Sequence, residues 1–144
     1  MYVIDTNILL YAADHDSPFH ESCFDLLEES RRSLSVWYLT WGICYEFLRV
    51  VTHPKVFKKP LTITKAWSFM EALIESPSLS FLLPTSRHAE VVKEVFKALP
   101  NLSGNILHDT ETAILMKEHG VKIIYTKDID FKRFPFIKKI DPTL

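Results

Sequence analysis

The sequence predicts an α/β fold with a mainly parallel central sheet. Short apolar runs alternate with longer segments of helical periodicity along the chain. Strands that alternate with helices in this way form right-handed βαβ units, whose strands lie parallel. The chain of 144 residues has no internal repeat and no low-complexity stretch. We therefore predict one domain over residues 1–144.

The first half of the chain is predicted to contain two strands and four helices. Ser17 and Thr40 are expected to cap the second and third helices, because their hydroxyls can accept hydrogen bonds from the first backbone amides of a helix. Pro18 would take the first helical position, and Pro54 would end the third helix because the residue before proline avoids the α region. The predicted elements are a strand at residues 2–4, helices at 6–14 and 18–32, a strand at 34–36, a helix at 41–51, and a helix from Thr62 or Thr64 to before Pro77.

The second half is predicted to contain three strands and two helices. Thr85 is expected to cap a helix that starts at Ser86. Gly120 is expected to follow the last helix, where a left-handed residue is common. The predicted elements are a strand at residues 79–83, a helix at 86–99, a helix from the loop at 101–105 to His119, a buried strand at 121–125 and an edge strand at 136–140.

Composition argues against several classes of protein. Cys23 and Cys44 are too few for a disulfide scaffold and do not form a C-x-x-C pair, so both are expected to be reduced core residues. The N-terminus has no basic region followed by an apolar one, as a secretory signal would. No apolar run approaches the roughly 20 residues that cross a bilayer. These features predict a cytoplasmic protein without a membrane segment.

The net charge of −1 neither supports nor excludes a nucleic-acid partner. Nucleic-acid-binding domains are usually strongly basic. If Asp5, Glu46, Asp109, Asp128 and Asp130 surround a metal, however, the rest of the chain carries 17 basic residues against 13 acidic ones.

Two aspartates are predicted to lie at the same edge of the sheet. Asp5 directly follows the first strand, and Asp128 comes three residues after the strand that ends at Tyr125. Open α/β sheets bind ligands outside the carboxyl ends of their strands. A lone aspartate there is more often a helix cap or a turn residue, but both aspartates have polar neighbours, which favours a site. These neighbours are Thr6 and Asn7 beside Asp5, and Thr126 and Asp130 beside Asp128.

Glu46 is one of only two charged residues in an otherwise apolar helix. Such a helix is expected to be largely buried, so its lone acid needs a partner. Gly42, Glu46, Arg49 and His53 recur at the spacing of one helical stripe. Two interpretations stay open. Glu46 forms an ion pair with Arg49, or it belongs to a ligand site in which the small Gly42 leaves room.

Asp109 lies near the start of a predicted helix. An acid in the first turn complements the helix dipole without any ligand, so its position alone does not indicate a site. We leave its neighbour His108 outside the predicted metal site, because a lone histidine is more often packed or at the surface.

Together, Asp5, Glu46, Asp109 and Asp128 give four carboxylates from separate segments, and these are the predicted metal ligands and catalytic residues. Clustered carboxylates raise each other's pKa values unless a cation relieves the repulsion. Oxygen-only ligation suits Mg²⁺ or Mn²⁺ and argues against zinc. Such a site suits phosphodiester hydrolysis, because bound metal activates water and steadies the reacting oxygens. The side chains predicted to support the carboxylates are Thr6, Asn7 and Thr126.

The ordered set of motifs resembles the PIN-domain family, and most closely the VapC-type ribonuclease toxins of bacterial and archaeal toxin–antitoxin pairs. The resemblance covers essentially the whole chain. The first segment alone is moderately specific for this family, and the ordered set of segments is a strong indication of it. The matching segments are Val3–Tyr11, Glu46 in its apolar helix, His108-Asp109 opening a helix that ends in Glu118-His119-Gly120, Thr126–Phe131, Arg133-Phe134-Pro135 and Asp141-Pro142.

This resemblance implies a three-layer α/β/α sandwich and cleavage of RNA with Mg²⁺ or Mn²⁺. It also implies a homodimer and a small inhibitory antitoxin as partner. The family's acidic positions fall on Asp5, Glu46, Asp109 and Asp128, with Asp130 as an accessory acid and with Thr6, Asn7 and Thr126 in support.

Two features depart from the family pattern. Glu111 and Thr112 follow Asp109 where relatives often carry small or apolar residues, so they either add surface polarity or alter the rim of the site. The aromatic segment at residues 37–41 is unusually heavy. Core or dimer packing is the favoured interpretation for it, ahead of base stacking.

Two alternatives to a ribonuclease stay open. One is another Mg²⁺-dependent α/β phosphohydrolase, such as a phosphatase with an aspartate nucleophile. Asn7 counts against it, since such sites usually need a second aspartate two residues after the first. The other is a PIN-like RNA- or protein-binding module that has lost activity, which ranks lower because no acidic position is replaced.

Overall fold

The computed structural model describes residues 1–144 and contains five strands, six α-helices and one 3₁₀ helix. The elements in chain order are β1 (Val3–Ile4), α1 (Thr6–Ala13), α2 (His20–Arg32), β2 (Trp37–Leu39), α3 (Trp41–Val51), α4 (Ile63–Ile74), β3 (Leu79–Phe81), α5 (His88–Ala98), α6 (Ile106–Glu118), β4 (Ile123–Tyr125), the 3₁₀ helix (Ile129–Arg133) and β5 (Lys138–Ile140).

All five strands form one parallel sheet in the order β3-β2-β1-β4-β5. The predicted α/β fold is confirmed, and the sheet is parallel throughout. Right-handed crossovers place α1 to α4 on one face and α5 and α6 on the other, which gives three layers. The direction of the crossovers reverses between β1 and β4. The crevice at the carboxyl ends of these two strands is therefore the place where a sheet of this kind binds ligands.

The core is built on the two central strands and the helix faces that cover them. Val3 and Ile4 of β1 and Ile124 of β4 have no exposed surface, and Phe47 of α3 is equally buried. Both cysteines are buried and unpaired. None of the helices combines the length and the apolar character needed to cross a bilayer.

The aromatic segment at residues 37–41 divides between the core and the surface. Trp37 is completely buried, and its indole N–H donates to the hydroxyl of Ser78 at 3.1 Å. Core packing is therefore confirmed for Trp37. Trp41 instead keeps 41% of its surface exposed and stacks on Phe81, with 4.5 Å between ring centroids.

Three sequence-based helix boundaries are confirmed by their caps. The Thr40 hydroxyl accepts a hydrogen bond from the amide of Ile43 at 3.0 Å, and the Thr62 hydroxyl accepts one from the amide of Lys65 at 3.2 Å. Gly120 follows α6 with a φ of +70°, a left-handed conformation that strains any residue with a Cβ.

The prediction that Ser17 caps α2 is wrong. Its hydroxyl accepts from the amide of Phe19 and its carbonyl from the amide of His20, both at 3.1 Å. Residues 17–20 therefore form a turn ahead of the helix, and Pro18 lies in that turn instead of at the first helical position.

The predicted helix start at Ser86 is also too early, because α5 begins at His88. The Thr85 hydroxyl accepts from the amide of Arg87 at 3.1 Å, and it donates to the carboxylate of Glu118 at the end of α6. Thr85 thus joins two helices and does not cap one.

The strand predicted at residues 34–36 forms three residues later, as β2. The Ser33 hydroxyl accepts from the amide of Ser35 at 2.9 Å, so this segment is a turn, and Leu34 is fully exposed. Trp37 and Leu39 are the buried, alternating positions that pack the strand into the sheet.

Candidate active site

A group of carboxylates lies at the carboxyl ends of β1 and β4. Asp109, Asp128 and Asp130 offer carboxylate oxygens that all lie within 4.8 Å of one another. Asp128 and Asp130 come from the segment after β4, and Asp109 comes from the first turn of α6. Asp5 and Glu46 lie outside this closest group. Their negative charges nevertheless contribute to raising the pKa of Asp109.

Asp5 has two roles that use different oxygens. As the N-cap of α1, it accepts a hydrogen bond from the amide of Thr6 on Oδ1 at 2.8 Å. Its Oδ2 accepts from the Thr126 hydroxyl at 2.8 Å and from the Asn7 amide at 3.0 Å. A helix cap needs only the first of these contacts. The other two hold a carboxylate that is only 6% exposed at the edge of the sheet.

Thr126 is the centre of the network that joins the segments after β1 and β4. It is completely buried. Its hydroxyl donates to Asp5 and accepts from the side-chain amide of Asn7 at 2.8 Å and from the backbone amide of Asp128 at 3.0 Å. The carbonyl oxygen of Asn7 accepts from the amide of Lys127 at 3.0 Å. The two segments are therefore held together by side chains as well as by the neighbouring strands.

Asp128 both shapes its own segment and contributes to the carboxylate group. Its Oδ1 accepts from the amide of Asp130 at 2.9 Å and so caps the 3₁₀ helix. Asp128 is therefore both the turn residue that its position in the sequence suggested and one of the three clustered carboxylates. The side chains of Asp109 and Asp130 accept no hydrogen bond from the protein, which leaves their oxygens free for a cation.

Glu46 does not pair with Arg49. No nitrogen of Arg49 lies within 4.0 Å of any carboxylate oxygen. The carboxylate of Glu46 accepts instead from the hydroxyl of Thr6 at 3.2 Å. The expectation that this helix is largely buried is wrong for this face of it, since Glu46 and Arg49 are both exposed.

The pKa values of two aspartates are raised by their surroundings. Burial raises the pKa of Asp5 to about 6, and the charges of Glu46 and Asp128 add to this effect. Burial also raises the pKa of Asp109 to about 7, with the nearby charges of Asp5 and Asp128 among the further causes. Crowded carboxylates without a cysteine or histidine among them fit a hard cation such as Mg²⁺ or Mn²⁺.

A cleft of about 290 Å³ opens beside these carboxylates, between α3 and α6. Glu111 is exposed on the α6 side, whereas Thr112 is buried. Both residues line the cleft, with the exposed Glu111 at its rim, and the buried Thr112 adds no surface polarity. The lining residues are Asp5 after β1, then Gly42, Ile43, Tyr45, Glu46 and Arg49 from α3, and His108, Asp109, Glu111 and Thr112 from α6.

Sequence reasoning missed Tyr45 as a residue of this cleft. The available signal was its place beside Glu46 on the predicted helix, together with Arg49 one turn later. Aromatic residues of an apolar helix are usually packed in the core. That expectation fails for Tyr45, which keeps 68% of its side chain exposed.

Replacing Glu46 with glutamine is expected to weaken Mn²⁺ binding by about tenfold, because a neutral amide oxygen is a poorer ligand for a hard cation than a carboxylate. The Thr6 hydroxyl can still donate to the new side chain, so the fold should be unchanged. Isothermal titration calorimetry with Mn²⁺ measures the effect. Glu71→Gln, at an exposed position of α4 outside the cleft, is the matched control and should bind Mn²⁺ as the wild type does. Unchanged affinity in the Glu46 variant would make this residue structural.

The metal-free protein is expected to lose stability as the pH rises from about 5 to about 7. The pKa of an unfolded aspartate is about 3.9, whereas those of Asp5 and Asp109 in the folded chain are about 6 and about 7. Between these values the folded state holds more protons than the unfolded state, so the free energy of unfolding falls as the pH rises.

Thermal melts in EDTA test this pH dependence. Asp109→Asn removes one of the two groups, so its melting temperature should exceed that of the wild type near neutral pH. The difference should shrink toward about pH 5, where Asp109 is protonated in the folded chain. A difference that does not vary with pH would mean that burial and the neighbouring carboxylates do not raise the pKa of Asp109.

The family model described as PIN domain matches residues 2–137. The chain is 30% identical over 138 residues to Ribonuclease VapC48 of Mycobacterium tuberculosis. The aligned region covers 96% of this chain and 94% of that protein. It is 29% identical over 147 residues to Ribonuclease VapC31 of the same organism, with both chains covered completely.

Two solved structures share the fold. VapBC2 from Rickettsia felis, in a crystal structure with a DNA fragment from its promoter, has a TM-score of 0.65 at 19% identity, over 96% of each chain. VapC20 of Mycobacterium tuberculosis, described as a toxin that cleaves the sarcin–ricin loop, has a TM-score of 0.63 at 11% identity, over 92% of this chain and 93% of that one.

Proposed function

This chain belongs to the PIN-domain family, and from that membership we propose that it is a metal-dependent endoribonuclease and the toxin of a toxin–antitoxin pair. The observation that carries the proposal is the group formed by Asp109, Asp128 and Asp130 within 4.8 Å at the crevice of the sheet. The reaction is taken from the names of two relatives, Ribonuclease VapC48 and Ribonuclease VapC31, which this chain matches over 94% and 100% of their length.

Asp5, Glu46, Asp109 and Asp128 are the proposed ligands for Mg²⁺ or Mn²⁺, with Asp130 as an accessory acid. Bound metal would lower the pKa of a coordinated water and stabilise the charge that develops on the phosphodiester oxygens.

The supporting side chains hold the proposed ligands in place. Thr126 and Asn7 both donate to Oδ2 of Asp5. Thr6 donates its hydroxyl to Glu46 from the first residue of α1. Fixed orientation matters because an acidic site must stay assembled against its own repulsion until a cation binds.

The proposal includes an antitoxin partner, a homodimer and action in the cytoplasm by a single domain over residues 1–144. Exposed apolar surface supports a protein partner, since large apolar patches on soluble proteins commonly mark interaction sites. Beside the acidic cleft, a pocket of about 370 Å³ between α3 and α4 is lined only by apolar and aromatic residues. They are Trp41, Cys44, Tyr45, Leu48, Ile63 and Trp67.

RNA cleavage by the purified chain tests the function. Labelled single-stranded RNA should be cut internally in the presence of Mn²⁺, and EDTA should stop the reaction. Para-nitrophenyl phosphate, a small phosphatase substrate, should not be hydrolysed. If the chain does not cleave RNA and its melting temperature does not change with Mn²⁺, the inactive binding module is favoured. Hydrolysis of the small substrate alone would favour the phosphatase.

A further inference from the structure

We infer that Arg49 and Tyr45 form a subsite on α3 for a nucleotide of the RNA strand that flanks the cleaved bond. Arg49 holds a phosphate of that nucleotide, and Tyr45 stacks on its base. This inference rests on the proposed ribonuclease function and adds to it a substrate-binding element outside the acidic group.

The charged side chains that line the cleft are mostly acidic. Its lining contains four acids, Asp5, Glu46, Asp109 and Glu111, and Arg49 is the one side chain in the lining that is always positive. A polyanion that enters this cleft is repelled by every acid that a cation does not neutralise. Arg49 supplies the attraction that offsets this repulsion.

The guanidinium of Arg49 is free to make that contact. No carboxylate oxygen lies within 4.0 Å of its nitrogens, although Glu46 is three residues away on the same helix. Glu46 is held by Thr6 instead. An unpaired, exposed guanidinium has five N–H donors in a planar fork, which matches the oxygens of a phosphate.

Tyr45 completes the subsite because it lies four residues before Arg49, so the two side chains are neighbours on one helix face. Its side chain is 68% exposed and lines both the acidic cleft and the apolar pocket beside it. A tyrosine that is this exposed does little for the core, whereas an unpaired base can stack on its ring. The pair therefore suits single-stranded RNA, in which bases are free to leave the strand.

Binding of a short, labelled single-stranded RNA tests the subsite, with Asp5→Asn as the parent so that the RNA stays intact. Adding Arg49→Met should weaken binding by about tenfold and lower the slope of log affinity against log salt by about 0.7, as loss of one phosphate contact requires. Adding Tyr45→Leu should weaken binding by about tenfold without changing the slope. Arg49→Lys should keep the slope. Mn²⁺ affinity, measured by calorimetry on the same three substitutions in chains with Asp5 intact, should be unchanged.

Two matched controls lie on α2, outside the cleft. Arg32→Met removes a guanidinium whose side chain is 81% exposed, and Phe24→Leu removes a ring that is 40% exposed. Neither should alter RNA affinity.

In chains with Asp5 intact, Arg49→Met should raise KM with little change in kcat, since the contact is the same in the ground and transition states. Affinities and salt slopes equal to those of the controls would overturn the subsite, and so would a fall in Mn²⁺ affinity, which would place Arg49 in the metal site. Absence of RNA cleavage by the wild-type chain is a separate result, and it would overturn the proposed function itself.

Discussion

Replacing Asp5 with asparagine is expected to reduce RNA cleavage by about a thousandfold or more while the fold stays intact. The change removes one negatively charged ligand from the proposed metal site, so the cation is bound less well. The several kcal/mol by which a bound cation stabilises the transition state are then lost. Asparagine is as good an N-cap as aspartate, so it can still accept the hydrogen bond from the amide of Thr6 that now ends on Oδ1.

Stability should not fall in this variant. Asp5 is 6% exposed, and burial raises its pKa to about 6, so its charge opposes folding at neutral pH when no metal is bound. Asparagine carries no charge, and the relief of this penalty offsets the two hydrogen bonds that Oδ2 of Asp5 accepts from Thr126 and Asn7 and that an amide nitrogen in its place cannot accept.

Cleavage time courses with Mn²⁺, paired with thermal melts in EDTA, measure both halves of this prediction. Asp25→Asn, an exposed aspartate on α2, is the matched control and should cleave RNA as the wild type does. Activity at the wild-type level in the Asp5 variant would refute the proposed mechanism. A large drop in melting temperature would show instead that Asp5 is mainly a structural cap.

Sequence alone could place Asp5 and Asp128 because each follows a strand, and the ends of parallel strands share one edge of a sheet. It could not show that the two strands are neighbours. Strand order depends on long-range packing, and only the pairing of β1 with β4 puts the two aspartates within reach of one network.

Periodicity also does not predict which way a side chain points. The spacing of Glu46 and Arg49 allowed an ion pair, but the two side chains stay apart and Glu46 turns to Thr6 on a different helix. Asp130 shows the same limit. The resemblance implied only an accessory role for it, yet the cap formed by Asp128 brings it into the closest carboxylate group.

Local capping rules succeeded where one side chain and the nearest backbone amides decide the geometry, as at Thr40 and Thr62. They failed at Ser17, whose hydroxyl bonds the amide two residues ahead and makes a turn. Both outcomes use the same hydroxyl chemistry. The spacing of the residues does not distinguish the two outcomes, because each needs only a hydroxyl and a nearby backbone amide.

Replacing Thr126 with valine is expected to lower both stability and metal affinity, because valine has the same shape but no hydroxyl. The backbone amide of Asp128 would lose its acceptor, and Oδ2 of Asp5 would lose one of its two side-chain donors. An unsatisfied polar group at a buried position costs about 1–3 kcal/mol. Loss of a group that orients a metal ligand typically lowers metal affinity by about 10- to 100-fold.

Two matched variants separate the loss of stability from the loss of metal binding. Thr126→Ser keeps the hydroxyl and should bind Mn²⁺ close to the wild-type level. Ser30→Ala removes a buried hydroxyl outside the site, one that donates to the carbonyl of Leu26 at 2.8 Å. It should lower the melting temperature without changing Mn²⁺ affinity. If Thr126→Val is destabilised but binds Mn²⁺ as tightly as Thr126→Ser, the hydroxyl stabilises the fold without positioning Asp5, and the carboxylate must be held by Asn7 and the cap at Thr6 alone.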